Sequence, residues 1–253
     1  HVYNDGSIHL NHGGTEIGQG LNTKVAQVVA EAFQVDFERI KITKTTTEKV
    51  PNTSATAASS GSDLNGMAAL DAVNQIKARL VKFAVESRGV SEDQVTFTPN
   101  NLQIGDEIVS FDKFVKEAYM ARVQLSAAGF YKTPKIHWDR EAGKGRPFYY
   151  YAYGASCSEV TIDTLTGEYA VDRVDILHDV GDSLNPAIDI GQIEGGFIQG
   201  MGWLTTEELK WNDEGRLLSN SPATYKIPSI GDTPPIFNVE LFDQPNREDT
   251  VFK

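Results

Sequence analysis

The chain has 253 residues, of which 40% are hydrophobic, and a formal net charge of -12. That composition buries one or two sizeable cores and excludes a purely disordered chain. The acidity opposes nucleic-acid phosphates and anionic membrane surfaces as partners, and no apolar run is long enough to span a bilayer. The single cysteine, Cys157, excludes an internal disulfide and a cysteine-ligated cluster built from this chain alone. With no signal segment at the start, a cytoplasmic setting is the default expectation.

In chain order, Val2–Tyr3 and Ser7–Leu10 flank Asn4-Asp5-Gly6, a hairpin signal, because Asp-Gly supplies positive φ angles. "HGGTEIGQGLNTK" follows, a glycine-rich loop from His12 to Lys24. Leu21, Val25, Val28, Val29, Ala32 and Phe33 then recur at helical spacing, so a helix with one buried face starts almost at Gly20. "RIKITKTTT" reads as a strand with Ile40 and Ile42 on one face, and the small residues from Pro51 to Gly66 as a second loop. That loop feeds a helix through Met67, Val73, Leu80 and Ala84, with Gly89 as its stop.

From Val90 to Ala128 the pattern predicts three short strands, "QVTFT", "LQI" and "EIVS", and a helix around Phe111 to Ala121. "TPKIHWDREAGKGRPF" is polar and reads as the connection between two halves. Beyond it, two alternating runs around Thr166-Gly167 predict a long hairpin. A last helix has Asn185 as N-cap and Pro186 at its first position. Glycines at 191, 195, 196, 200 and 202 interrupt it, each at about 1 kcal/mol relative to alanine. Close packing or a ligand at the backbone are the physical reasons for so many. The expected fold class is α+β: two α/β subdomains with mixed sheets and packed helices, the first over residues 1–135 and the second over 136–253.

Helix N-termini present unpaired backbone N–H groups that bind anions. Three segments offer them: Gly18-Gln19-Gly20, the Ala57, Ala58, Ser59, Ser60, Gly61 run before Asp63, and a third centred on Gln192. Gln19 and Gln192 both donate and accept, which suits a heterocycle edge or a metal-bound oxygen. The bland reading is turn geometry for the first, a tight helix-sheet contact for the second and a solvated amide for the third. There is no Walker loop, no His-Glu-x-x-His and no Gly-x-Ser-x-Gly. His9 and His12 lack a carboxylate or cysteine at useful spacing and read as structural, so no protein metal ligand is expected. Cys157, in an apolar alternating run, reads as a buried small side chain.

"HLNHGGTEIGQGLNTKVAQV", "VPNTSATAASSGSDLNG", "YGASCSEVTIDTLTGE" and "DVGDSLNPAIDIGQIEGGFIQGMGWLTTEEL" together resemble the molybdenum hydroxylases. Within them the match is to the molybdopterin-binding large subunit or domain of the xanthine dehydrogenases, and it extends through "PATYKIPSIGDTPPIFNVEL". The wording around Ala57 to Gly61 is what favours xanthine dehydrogenases over aldehyde oxidases.

The resemblance implies a cofactor, molybdopterin, bound by Ile17, Gly18, Gln19 and Gly20, by Ala57, Ala58, Ser59, Ser60 and Gly61, and by Gln192. It implies oxidation of xanthine or hypoxanthine with water as oxygen source. Electrons then leave through 2Fe-2S clusters and FAD, held by other subunits or domains, to NAD. It places the catalytic glutamate beyond Lys253 and the substrate-positioning residues before His1, so both ends read as cuts. No catalytic residue is expected within the chain, which alone should be inactive. The alternatives are an aldehyde-oxidising relative and a non-catalytic ligand-binding or assembly module.

Overall fold

The computed structural model describes residues 1–50, 53–57 and 59–244. Two compact units divide the chain, the first over residues 1–149 and the second from Tyr150 onward.

In the first unit, β1 (Ile8–Leu10) runs parallel to β2 (Ile40–Ile42), and helix α1 (Leu21–Phe33) makes the crossover between them. Val2 bridges Ile8 across the predicted turn, where Gly6 has φ 79. The strand in "RIKITKTTT" is limited to its three alternating residues.

Helix α2 (Gly61–Arg88) starts six residues earlier than the extent of the small-residue loop implied, so Gly61 to Gly66 is helix. Small residues do not by themselves break a helix once its apolar face is anchored, and Ala69, Val73, Ile76, Leu80 and Ala84 anchor this one. Gly89, at φ 67, ends it with its N–H on the Val85 carbonyl.

The three short strands form an antiparallel sheet, β3 (Val95–Thr98), β4 (Asn101–Ile104) and β5 (Glu107–Ser110), followed by α3 (Phe111–Met120). Phe111, Phe114, Val115 and Ala118 of α3 are all fully buried. Phe33 meets Phe111 edge-on at 5.7 Å between centroids, joining α1 to α3. The core of the unit therefore lies between the two long helices, the small sheet and α3. The polar "TPKIHWDREAGKGRPF" segment is not only a connection. It contains a hairpin, β6 (His137–Asp139) and β7 (Lys144–Arg146), whose six strand residues are all exposed.

In the second unit, β8 (Gly154–Ile162) and β9 (Tyr169–His178) form the predicted hairpin, with a bulge at Glu159/Val160. β10 (Ile236–Leu241) pairs with β9 in parallel, so the sheet is mixed. Helix α4 (Pro186–Thr205) packs on β10 through Phe197 and Phe237, 5.4 Å apart. Asn185 caps α4 by accepting from the Ile188 N–H at 3.2 Å, with Pro186 at the first position. Cys157 is exposed, a correction to the buried reading. The alternation on β8 does not mark a core face here, because all nine of its residues are exposed.

Candidate functional site

The glycine-rich loop is held by its own side chains. Glu16, on the rise of the loop, accepts three backbone N–H groups: Gly18 at 2.9 Å and Gly20 at 3.0 Å on Oε1, and Asn22 at 2.8 Å on Oε2. Donors two residues apart point the same way because Gly18 and Gly20 take left-handed φ values of 106 and 76. Gln19 closes the opposite side, accepting from the Ile17 N–H at 2.7 Å and donating to the Thr15 carbonyl at 2.8 Å. Burial alone would raise the Glu16 carboxyl, but the N–H groups of Asn22, Gly18 and Gly20 outweigh it and hold it below the ordinary carboxylate range.

The glycines of this loop divide by cause. A Cβ at Gly13 would lie 2.5 Å from Thr53 Oγ1, and one at Gly14 would collide with Leu21, so both make room for the protein itself. A Cβ at Gly18 would meet nothing within 4 Å, and that position is glycine for its φ. Ile17, beside it, is 81% exposed, so the tip of the loop is an apolar side chain next to a bare backbone.

The second loop is joined to the first. The Thr15 N–H donates to Thr56 Oγ1 at 2.8 Å, and Thr45 Oγ1 donates to the Gly14 carbonyl at 2.8 Å. Ala57 and Ser59 are exposed, Ser59 in a left-handed conformation at φ 54, while Ser60 and Gly61 are half-buried. Ala58 lies outside the described residues. Ser60 is the N-cap residue of α2, yet its hydroxyl makes no capping bond and donates to the Ala57 carbonyl at 3.1 Å. Both helix starts thus carry a carboxylate, Glu16 bonded to the backbone N–H groups at the start of α1 and the buried Asp63 in the first turn of α2. Beneath the loops, His12, Gly13, Thr53, Thr56, Ser60 and Gly61 contribute to a cavity of about 640 Å³.

His12 is buried and accepts from the Gly14 N–H through Nδ1 at 3.1 Å, so the neutral ring carries its proton on Nε2. Burial pushes its pKa down, against smaller opposing effects of Asn22 and Glu16. His9 pairs with Thr43 Oγ1 at 3.2 Å. Neither histidine has a metal-ligand set around it: among the described residues no group of three His, Cys, Asp or Glu side chains converges.

Gln192 belongs to the second unit. It is exposed on α4, and a Cβ at Gly191, Gly195 or Gly196 beside it would meet nothing within 4 Å. Gly202 is different, since a Cβ there would run into the Pro228 ring. The other groove of that unit, on the sheet, is lined by Cys157, Arg173, Asp175 and Glu194. Two of its charges pair: Arg173 grips Asp175 with two hydrogen bonds of 2.5 and 3.0 Å and Asn238 adds one at 2.7 Å. Those bonds hold the Asp175 carboxyl at about 2.

The structure thus brings Ile17 to Gly20 and Ala57, Ser59, Ser60 and Gly61 into one hydrogen-bonded assembly, and sets Gln192 on the other unit. Glu16 and Thr56 were not foreseen. Glu16 had a legible signal, a carboxylate two, four and six residues before N–H groups opening a helix. As a lone acidic residue in an acidic chain it reads as surface charge.

The chain matches a protein family described as the molybdopterin cofactor-binding domain over residues 1–234. It is 50% identical over 247 residues to a xanthine dehydrogenase of Oryza sativa subsp. japonica, covering 95% of this chain and 17% of that protein. It is 48% identical over 248 residues to a xanthine dehydrogenase/oxidase of Mus musculus, covering 98% of this chain and 17% of that protein. Among solved structures it resembles a Cu,Mo-CO dehydrogenase with a TM-score of 0.80 at 22% identity, covering 96% of this chain and 30% of that one. The chain therefore spans about a sixth of the length of these sequence relatives.

Proposed function

The chain belongs to the molybdopterin cofactor-binding domain family, and from that premise we propose that it forms part of a molybdenum hydroxylase acting on xanthine or hypoxanthine. The observation that carries the reading is the pair of joined loops, Ile17 to Gly20 and the segment with Thr56, Ala57, Ser59, Ser60 and Gly61, linked by the hydrogen bond from the Thr15 N–H to Thr56 Oγ1. Their chemistry fits an organic cofactor with an anionic end. They offer amide, hydroxyl and backbone N–H groups beside an exposed apolar tip, and neither thiolate nor imidazole.

In this reading the bound molybdopterin supplies the oxidation of an electron-poor C–H carbon, with water as oxygen source. The chain's own residues bind and orient the group. Ile17 and Gly18 would contact the group, through an exposed apolar side chain and a backbone that carries none. Ser59, Ser60 and Gly61, at the start of α2, would meet the cofactor with hydroxyl and backbone groups, beside the buried Asp63 carboxyl in the first turn of that helix. Gln192, exposed on α4 of the second unit, is a further candidate for cofactor contact by the resemblance alone. 2Fe-2S clusters, FAD and the proton-transferring glutamate belong to other parts of the complete protein.

The test is a comparison of xanthine and benzaldehyde as substrates of the complete protein that carries this chain, alongside its molybdenum and pterin content. Xanthine turnover with bound molybdopterin supports the reading. Faster benzaldehyde oxidation without xanthine turnover assigns an aldehyde-oxidising enzyme instead, and absence of molybdopterin from the active protein rejects the cofactor assignment.

A further inference from the structure

The three N–H groups at Gly18, Gly20 and Asn22 are where an anionic ligand would dock on α1, and they are all directed to one side chain of the chain itself. We propose that Glu16 is a positioning residue for the cofactor: its carboxylate serves as a built-in anion that fixes the Gly18-Gln19-Gly20 backbone and so sets how the loop meets the pterin. The inference rests on the cofactor reading given above.

The physical reason lies in the conformations required. Gly18 and Gly20 both hold left-handed φ values that a glycine adopts freely but does not prefer over its alternatives. Without a fixed acceptor, the segment between Thr15 and Leu21 has many accessible states. A charged acceptor binds N–H groups about twice as strongly as a neutral one, and Glu16 engages three of them with two oxygens. Gln19 depends on this arrangement, because its own two bonds run to Ile17 and Thr15, on either side of Glu16. Loss of the carboxylate therefore releases the tip and the amide together. A second consequence is that α1 takes no anionic part of the ligand, since the N–H groups at its start are filled by Glu16.

The test uses Glu16→Gln in the complete protein, which keeps the shape and removes the charge. Hydrogen exchange followed by mass spectrometry over residues 13–24 is expected to speed up roughly tenfold, the equivalent of about 1.4 kcal/mol. The Mo(V) paramagnetic resonance signal is expected to change, and kcat to fall more than KM rises. Glu16→Asp, which retains charge with a shorter reach, should recover part of each. It also serves as the second variant if Glu16→Gln fails to fold. Faster exchange with an unchanged resonance signal, and an unchanged kcat, would make Glu16 a structural brace only and overturn the positioning role. Unchanged exchange would overturn the clasp itself. A wild-type protein without molybdopterin would instead sink the cofactor reading, so the two failures are distinguishable.

Discussion

Gly13 and Gly18 stand five residues apart in one loop and are glycine for different reasons, which gives substitutions of opposite character. Gly13→Ala drives a methyl group against Thr53, whose Oγ1 is 2.5 Å from the ideal Cβ position. Overpacking of this kind costs about 1–3 kcal/mol, so the thermal midpoint should fall, and Thr53→Gly in the same chain should restore much of it. Gly18→Ala meets no atom but must hold φ 106, so its cost is backbone strain that no second-site truncation relieves. A double-mutant cycle read by thermal unfolding distinguishes the two.

His12 supplies a pH prediction at the same scale. Burial lowers its pKa in the folded chain, so the unfolded chain takes up a proton first as pH falls. Stability from this residue is therefore complete above an unfolded pKa of about 6.5 and declines as pH drops from there toward the lower folded value. His12→Asn keeps an acceptor for the Gly14 N–H and removes the titration. The fall in melting temperature between about pH 7.5 and pH 5.5 should be smaller in this variant than in the parent. An identical fall in both would show that His12 is not proton-linked to folding.

At the scale of elements, α4 carries its glycines at two kinds of site. Gly195 and Gly196 have no neighbour that a methyl group would touch, so alanine there should stabilise the isolated chain by up to about 1 kcal/mol each. Gly202→Ala should destabilise it, since Pro228 and Glu207 occupy the space. If both classes behaved alike in chemical denaturation, the division would fail.

The long helices α1, α2 and α4 were legible in the sequence because apolar residues recur over many turns and Gly89, Asn185 and Pro186 mark ends. The hairpin β6–β7 was not legible: its strands have three residues each, expose every side chain and so carry no alternation of burial. Cys157 misled for a related reason, because alternation on β8 shows a strand without showing which face, if either, is covered within this chain. The loops of the site were readable as glycine-rich and small. That Gly13 serves Thr53 depends on a contact across 40 positions of sequence, whereas Glu16 has a local spacing to the helix start that an acidic chain disguises as surface charge.

For the whole molecule, the two units are built differently. The first has a continuous core from Val2 to Leu125. In the second, Val174 and Pro234 are the buried apolar side chains among the described residues, and Val160, Ile162 and Leu165 stand 48%, 62% and 94% exposed. The sequence relatives are about six times longer than this chain, and the site loops are exposed here. The isolated chain should therefore retain little or no molybdenum; stoichiometric metal by mass spectrometry after desalting would contradict that.

In the proposed function these loops cradle molybdopterin. The most direct test is molybdenum and pterin per protein in the complete enzyme, wild type against Gln19→Ala. Gln19 contributes two hydrogen bonds to the loop backbone, each worth about 0.5–1.5 kcal/mol. Near-full occupancy is expected in the wild type, with several-fold lower retention or a correspondingly impaired turnover in the variant. Full retention together with unchanged turnover in Gln19→Ala would contradict it, and would return "HGGTEIGQGLNTK" to the status of a tight turn.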